Sequence, residues 1–99
     1  MKLVVTDPAK VRLKEIHDYY KQNVSLRIAN KIKKSIVKKL KFLQANPFCG
    51  QEEEYLQELG LEHRRMVEGN YKIIYRISDK IIYVTDIFDS RQDPSKISP

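Results

Sequence analysis

The sequence predicts an α+β domain: an amino-terminal strand, a helical hairpin, then a three-stranded antiparallel meander, with all strands in one twisted sheet. Two observations carry this prediction. Apolar residues recur at helical spacing between Pro8 and Ala45. Further on, β-branched and aromatic residues flank the dipeptide Gly69-Asn70, which is typical of a tight β-hairpin. Because the chain has 99 residues, we expect residues 1–99 to form a single domain.

The first half of the chain indicates one strand and two helices. A short strand covers residues 3–6, and Asp7 as N-cap with Pro8 at the first helical position begins the first helix. Ser25 caps the second helix, which should run from Leu26 to Ala45 and stop before Pro47. The predicted buried stripes are Ala9, Leu13, Ile16 and Tyr20 on the first helix, and Ala29, Ile32, Ile36, Leu40 and Leu43 on the second.

The second half indicates an acidic connector and three strands. Residues 48–62 form the connector, and the strands lie on either side of turns at residues 69–70 and 79–80. The tail, residues 92–99, should be loose beyond Ile97.

Side-chain alternation along these strands divides the residues between two faces. An apolar face should pack under the helices, with Met66, Tyr71, Ile73, Tyr75, Ile82 and Val84. The other face should be open and basic, with His63, Arg65, Lys72, Arg76, Tyr83, Thr85, Ile87, Asp89 and Arg91.

Charge and composition narrow the function classes. The net charge of +6 and the pI of about 9.5 favour an anionic partner. No apolar run is long enough to span a membrane and no secretory signal is present, so we expect a cytoplasmic protein. Two separated histidines and one cysteine match no metal-ligand spacing, so we expect no metal and no cofactor. The many lysines of the second helix are explained most simply as residues on its solvent-exposed side.

The basic face is the candidate site. Arg65, Lys72, Arg76 and Arg91 are suited to hold phosphates, and Tyr83 is suited to stack on a base. RNA cleavage by its own 2′-hydroxyl needs a base, a cation and an acid. His63 is the only group on this face whose ordinary pKa lies near neutrality. The competing interpretation is a solvated basic face that keeps the sheet soluble.

The segments VRLKEIHDYY, NPFCGQ, HRRMVEGNYKIIYRI and IIYVTDIFDSRQDP resemble the RelE/ParE superfamily, the toxins of bacterial type II toxin–antitoxin modules. The resemblance covers nearly the whole chain and implies the same fold. It also implies a growth-inhibiting toxin that a cognate antitoxin, expected to be acidic, neutralises.

The superfamily contains two activities. RelE-like members are metal-independent endoribonucleases that cleave mRNA on the ribosome, and the resemblance would give that role to His63, Arg65, Lys72 and Arg91. The carboxyl end lacks the tyrosine of RelE-like enzymes. ParE-like members inhibit DNA gyrase, and the long helical hairpin favours this activity slightly. A non-catalytic basic binding module is the third alternative.

Overall fold

The structure, a computed structural model, describes all 99 residues and contains five strands and two α-helices. In chain order they are β1 (Lys2–Val5), α1 (Asp7–Asn23), α2 (Leu26–Ala45), β2 (Gln51–Glu52), β3 (Arg64–Glu68), β4 (Tyr71–Ser78) and β5 (Ile81–Asp89). Two short 3-10 helices follow β2 and β5, at Glu54–Leu59 and Pro94–Lys96. Neither α-helix combines the length and the apolar character that a membrane span needs.

All five strands belong to one sheet, in the order β1-β5-β4-β3-β2. The meander β3-β4-β5 is antiparallel, as predicted, while β1 runs parallel to β5. This parallel pairing follows from the helical hairpin, which carries the chain across the sheet between β1 and the meander. The two-residue strand β2 at the edge was not predicted, because two residues are too few to reveal the alternation of apolar and polar side chains that identifies a strand.

Both hairpin turns form where the sequence placed them. Gly69 has a φ of 58°, a conformation that glycine adopts without steric cost. Asp79 and Lys80 have φ values of 51° and 61°, as a type I′ turn requires at both central residues. The β3–β4 register runs from Glu68↔Tyr71 to Arg64↔Tyr75 and confirms the predicted pairing.

The two helices pack on one face of the sheet and bury the main core. The predicted apolar stripes all face this core, and the Ser25 side chain caps α2 by accepting from the Ile28 amide at 3.1 Å. The prediction of Asp7 as the cap of α1 was wrong. Thr6 holds that position, and its hydroxyl donates instead to the Val84 carbonyl at 3.0 Å, which ties the start of α1 to β5.

A β-bulge at Thr85 changes the faces of the last strand. Ile74 pairs with Asp86 while Tyr75 pairs with Val84, so Thr85 is the extra residue. Beyond it the alternation is reversed, which places Ile87 in the core under the helices. The prediction that Ile87 lies on the basic face was therefore wrong.

The face of the sheet turned away from the helices is not open, contrary to expectation. We call it the distal face. A second apolar cluster covers part of it, because Leu56 of the connector and Ile97 of the tail pack on Ile74 and Phe88. All four side chains are buried.

The carboxyl-terminal tail is held on the distal face rather than loose. The Ser98 amide donates to Asp86 Oδ2 at 2.9 Å, and the Pro99 oxygen lies 3.0 Å from His63 Nε2. Asp86 is fully buried and also pairs with Arg12 of α1, with 3.3 Å between Nε and Oδ1. The tail therefore contacts β5 and the segment before β3, and Asp86 links it indirectly to α1.

Candidate target-binding face

The distal face brings together four of the residues that the sequence assigned to it: Arg65, Lys72, Arg76 and Tyr83. Arg65 and Lys72 come from the neighbouring strands β3 and β4 and are two residues apart in register, because Arg65 pairs with Ile74 and Lys72 with Val67. Arg76 lies opposite Tyr83, with its guanidinium 5.0 Å from the ring centroid. Such stacking is a cation–π contact. The shared face of these four residues is as predicted, while their roles stay predictions.

Glu53, which the sequence did not point to, lies between two of these cations. Its side chain is fully buried, and Oε2 lies 3.7 Å from Arg65 Nη1 and 3.8 Å from Lys72 Nζ. A buried carboxylate at this distance offsets much of the charge of both cations. The distal face therefore presents less positive potential than its arginines and lysines suggest.

The position of Glu53 depends on a local backbone feature. It precedes the 3-10 helix Glu54–Leu59, and its Oε1 accepts from the Tyr55 amide at 3.4 Å. Its own amide donates to the His63 carbonyl at 2.8 Å. In the sequence it is the middle of three consecutive glutamates, so composition did not single it out. Its place one residue before a helical turn was the only available signal.

His63 lies under the tail rather than at the surface. Only 2% of the residue is exposed, its Nε2 contacts the Pro99 oxygen, and its Nδ1 has no hydrogen-bond partner. A general acid or base must come within hydrogen-bond reach of the substrate. In this arrangement the imidazole is not accessible to an RNA strand.

Arg91 lies on the opposite side of the sheet from Arg65 and Lys72, so the prediction that places it on the basic face was wrong. The bulge at Thr85 causes this, because it turns Asp89 and the residues after it towards α1. Arg91 Nη2 pairs with Asp89 Oδ2 at 2.8 Å, and this contact lowers the pKa of the Asp89 carboxyl.

Arg91 and Asp89 line a cleft of about 490 Å³ between α1 and the end of β5, together with Arg12, Glu15, Ile16, Tyr19, Tyr71, Ile87 and Gln92. The hydroxyl of Tyr71, one of the lining residues, donates to the Tyr20 hydroxyl at 3.3 Å. Burial is the main cause that raises the pKa of Tyr71, so its phenol stays protonated at neutral pH. This cleft combines charged and aromatic groups.

The chain matches a protein-family model described as "ParE toxin of type II toxin-antitoxin system, parDE", over residues 3–94. It belongs to the ParE toxin family. The match includes both helices and every strand of the meander, and it ends before the tail residues that cover His63. No curated protein matches the chain.

A solved structure supports the same assignment for this ParE-family chain. The structure is described as the chromosomal ParDE toxin–antitoxin system from P. aeruginosa. One of its chains superposes with a TM-score of 0.77 and 26% sequence identity, covering 90% of this chain and 95% of that one. The similarity therefore extends over the helical hairpin and the sheet together.

Proposed function

We propose that this ParE-family toxin arrests growth by inhibiting DNA gyrase and does not cleave mRNA. The observation that carries the proposal is that the residues of a RelE-like nuclease are not assembled. Arg65 and Lys72 share the distal face, while Arg91 lies across the sheet from them. His63 is buried beneath the tail. The family match to ParE toxins points the same way.

The chemistry of RNA cleavage explains why this separation matters. The reaction needs a base for the 2′-hydroxyl, an acid for the leaving 5′-oxygen and cations around the phosphorane. Each missing acid or base typically lowers the rate by about 10²- to 10⁴-fold. Arg65 and Lys72 offer cations, but the carboxylate of Glu53 already lies between them. A gyrase inhibitor needs only a binding surface, and it needs neither the acid and base nor the cations of a nuclease.

The RelE-like alternative keeps one supporting observation, the shared face of Arg65, Lys72, Arg76 and Tyr83. Individual replacement of Arg65, Lys72 and Arg91 by alanine separates the two activities. For a gyrase inhibitor we expect no ribosome-dependent mRNA cleavage from the parent or from any variant. For a nuclease, loss of one phosphorane-stabilising cation should reduce cleavage by about 10²-fold or more.

The measurement is induction in growing cells, with mRNA cleavage and gyrase-dependent DNA breaks followed side by side. Thermal unfolding of each purified variant confirms that it is folded. DNA breaks without mRNA cleavage are expected, and they should disappear in cells that carry a toxin-resistant gyrase. Strong mRNA cleavage that falls in the Arg65 and Lys72 variants would instead establish the nuclease.

We further propose that the cognate antitoxin is acidic and docks a helix in an apolar groove. A groove of about 340 Å³ separates α2 from the β3–β4 turn, and its apolar lining is Tyr20, Ile28, Ile32, Ile36 and Tyr71. Amphipathic helices bind such grooves through residues three and four apart. The net charge of +6 favours an acidic partner by steering its approach.

The antitoxin proposal predicts that a neighbouring gene encodes a small acidic protein that forms a stable complex with this toxin and restores growth. Replacing Ile32 by glutamate should weaken the complex, because it places a charge in the groove. Since Ile32 is half-buried and also packs against the main core, thermal unfolding of the purified variant establishes that it is folded. Calorimetry with the purified pair measures the change. A basic neighbouring protein, or an unchanged affinity in the Ile32 variant, would contradict the proposal.

A further inference from the structure

Helix α2 accounts for the entire net positive charge of the protein. It contributes seven of the 19 basic residues and none of the 13 acidic ones. The rest of the chain therefore holds twelve basic and thirteen acidic side chains and is close to neutral. None of the seven cations of α2 forms an ion pair, whereas the basic residues Arg12, Arg65, Lys72 and Arg91 all do.

Five of the seven cations lie in one narrow band along the helix, which we call the basic stripe: Arg27, Lys31, Lys34, Lys38 and Lys41. Their spacing of four, three, four and three residues keeps them within about 80° of one another around the helix. All five are exposed, and they lie opposite the buried residues of α2. At 1.5 Å per residue the stripe is about 21 Å long.

The stripe is not explained by helix stability. Like charges three and four residues apart destabilise a helix, and every neighbouring pair in the stripe has this spacing. Helix α1 shows the ordinary arrangement on the same protein. Its exposed side mixes Lys10, Lys14 and Lys21 with Asp7 and Glu15. A mixture of acidic and basic residues, as on α1, also keeps a helix surface solvated. Solvation therefore does not explain why α2 carries a row of cations without acidic neighbours.

The surroundings of the stripe favour a nucleic acid over a protein partner. Two surface depressions along it are lined by Arg27, Asn30, Lys31, Lys33, Lys34, Ser35, Lys38 and Lys41, with Val37 as the one apolar residue. Of the five stripe residues, only Lys31 also borders the apolar groove between α2 and the β3–β4 turn. Stable protein interfaces have an apolar centre and are depleted in lysine. Contacts to a phosphate backbone use lysine and arginine with small hydrogen-bonding side chains such as asparagine and serine.

We infer that the basic stripe binds the phosphate backbone of duplex DNA, so that the toxin contacts gyrase and its bound DNA together. This inference rests on the proposed function, because gyrase acts on DNA and brings a duplex to the toxin. Duplex DNA carries one negative charge per 1.7 Å of axis, so roughly twelve phosphates lie within the length of the stripe. A straight row of point charges has the length and charge to follow such a backbone without reading its sequence.

The test compares two triple variants that lose the same charge from different helices. One is Lys31→Gln, Lys34→Gln, Lys38→Gln in the stripe, and its matched control is Lys10→Gln, Lys14→Gln, Lys21→Gln on α1. Affinity of the purified toxin for a short blunt-ended DNA duplex, and for an RNA duplex of the same length, is measured over a range of salt concentrations, without gyrase. Thermal unfolding establishes that both variants are folded.

We expect the stripe variant to bind at least about tenfold more weakly than the parent, with the slope of log affinity against log salt falling from about −4.5 to about −1.8. The α1 control should stay near the parent slope. Equal losses in both variants would attribute binding to net charge and overturn the inference. Undiminished binding in the stripe variant would overturn it too, as would tighter binding to an RNA duplex than to DNA.

Two further measurements separate this inference from the proposed function. In a gyrase supercoiling assay, the stripe variant should need a higher concentration than the control for half inhibition. If the toxin binds DNA through the stripe but leaves gyrase unaffected, the proposed function fails while the DNA contact stands. If only antitoxin affinity falls in the stripe variant, the stripe serves the antitoxin and the DNA contact is wrong.

Discussion

Deletion of Ile97, Ser98 and Pro99 is expected to lower the free energy of unfolding by about 2–4 kcal/mol. Ile97 is 5% exposed, and burying a side chain of this size contributes about 1.5–3 kcal/mol. The hydrogen bond from the Ser98 amide to the Asp86 carboxylate adds about 1.5–3 kcal/mol. The entropy of three ordered residues opposes both terms. Since such domains have a net stability of about 5–15 kcal/mol, the loss is substantial.

Chemical denaturation of the purified proteins measures this effect. Ile97→Ala alone should account for about half of the loss, and Lys96→Ala, at an exposed position of the same tail, should stay within about 0.5 kcal/mol of the parent. A deletion variant as stable as the parent would show that the tail does not pack on the distal face. The sequence predicts a loose chain beyond Ile97 and gives no indication that Ile97 itself is buried.

Replacement of Asp86 by alanine is expected to cost about 2–3 kcal/mol. The carboxylate is fully buried and holds two partners from distant parts of the chain, Arg12 of α1 and the Ser98 amide. Removing one partner of a buried pair typically costs about 3–5 kcal/mol because a charge is left without compensation. We expect less here, since the Arg12 side chain is 32% exposed and regains water.

A double-mutant cycle with Arg12→Leu isolates the ion pair. The coupling energy between Arg12 and Asp86 should be about 1 kcal/mol. The rest of the stability that Asp86→Ala removes comes from the contact with the Ser98 amide. This part should not be lost again when Asp86→Ala is introduced into the tail deletion, which already lacks Ser98. Additive losses from Asp86→Ala and the deletion would mean that the carboxylate and the tail do not interact.

The helices and the meander could be predicted from the sequence because their signals are local. The period of α2, the capping Ser25 and the turns at residues 69–70 and 79–80 each act within a few residues. The bulge at Thr85 gave no local signal, since one extra residue in a run of β-branched residues leaves the composition unchanged. That one residue displaced Ile87 from its predicted face and, with it, Asp89 and Arg91.

The candidate site was less predictable because it depends on contacts between distant segments. Strand alternation placed Arg65, Lys72 and Arg76 together correctly. Glu53 reaches them only through the path of the connector, and His63 is buried only because the tail crosses the distal face. Neither path has a periodic signature. The excess charge of α2 was visible in the sequence, but its lack of ion pairs is a property of the fold.

The most direct test of gyrase inhibition uses purified gyrase, relaxed plasmid and ATP with increasing amounts of the toxin. We predict that supercoiling falls as toxin is added and recovers when the cognate antitoxin is present in excess. A parallel reaction with ribosomes and mRNA should show no cleavage. Full supercoiling at a large excess of folded toxin, together with ribosome-dependent cleavage of mRNA, would contradict the proposal.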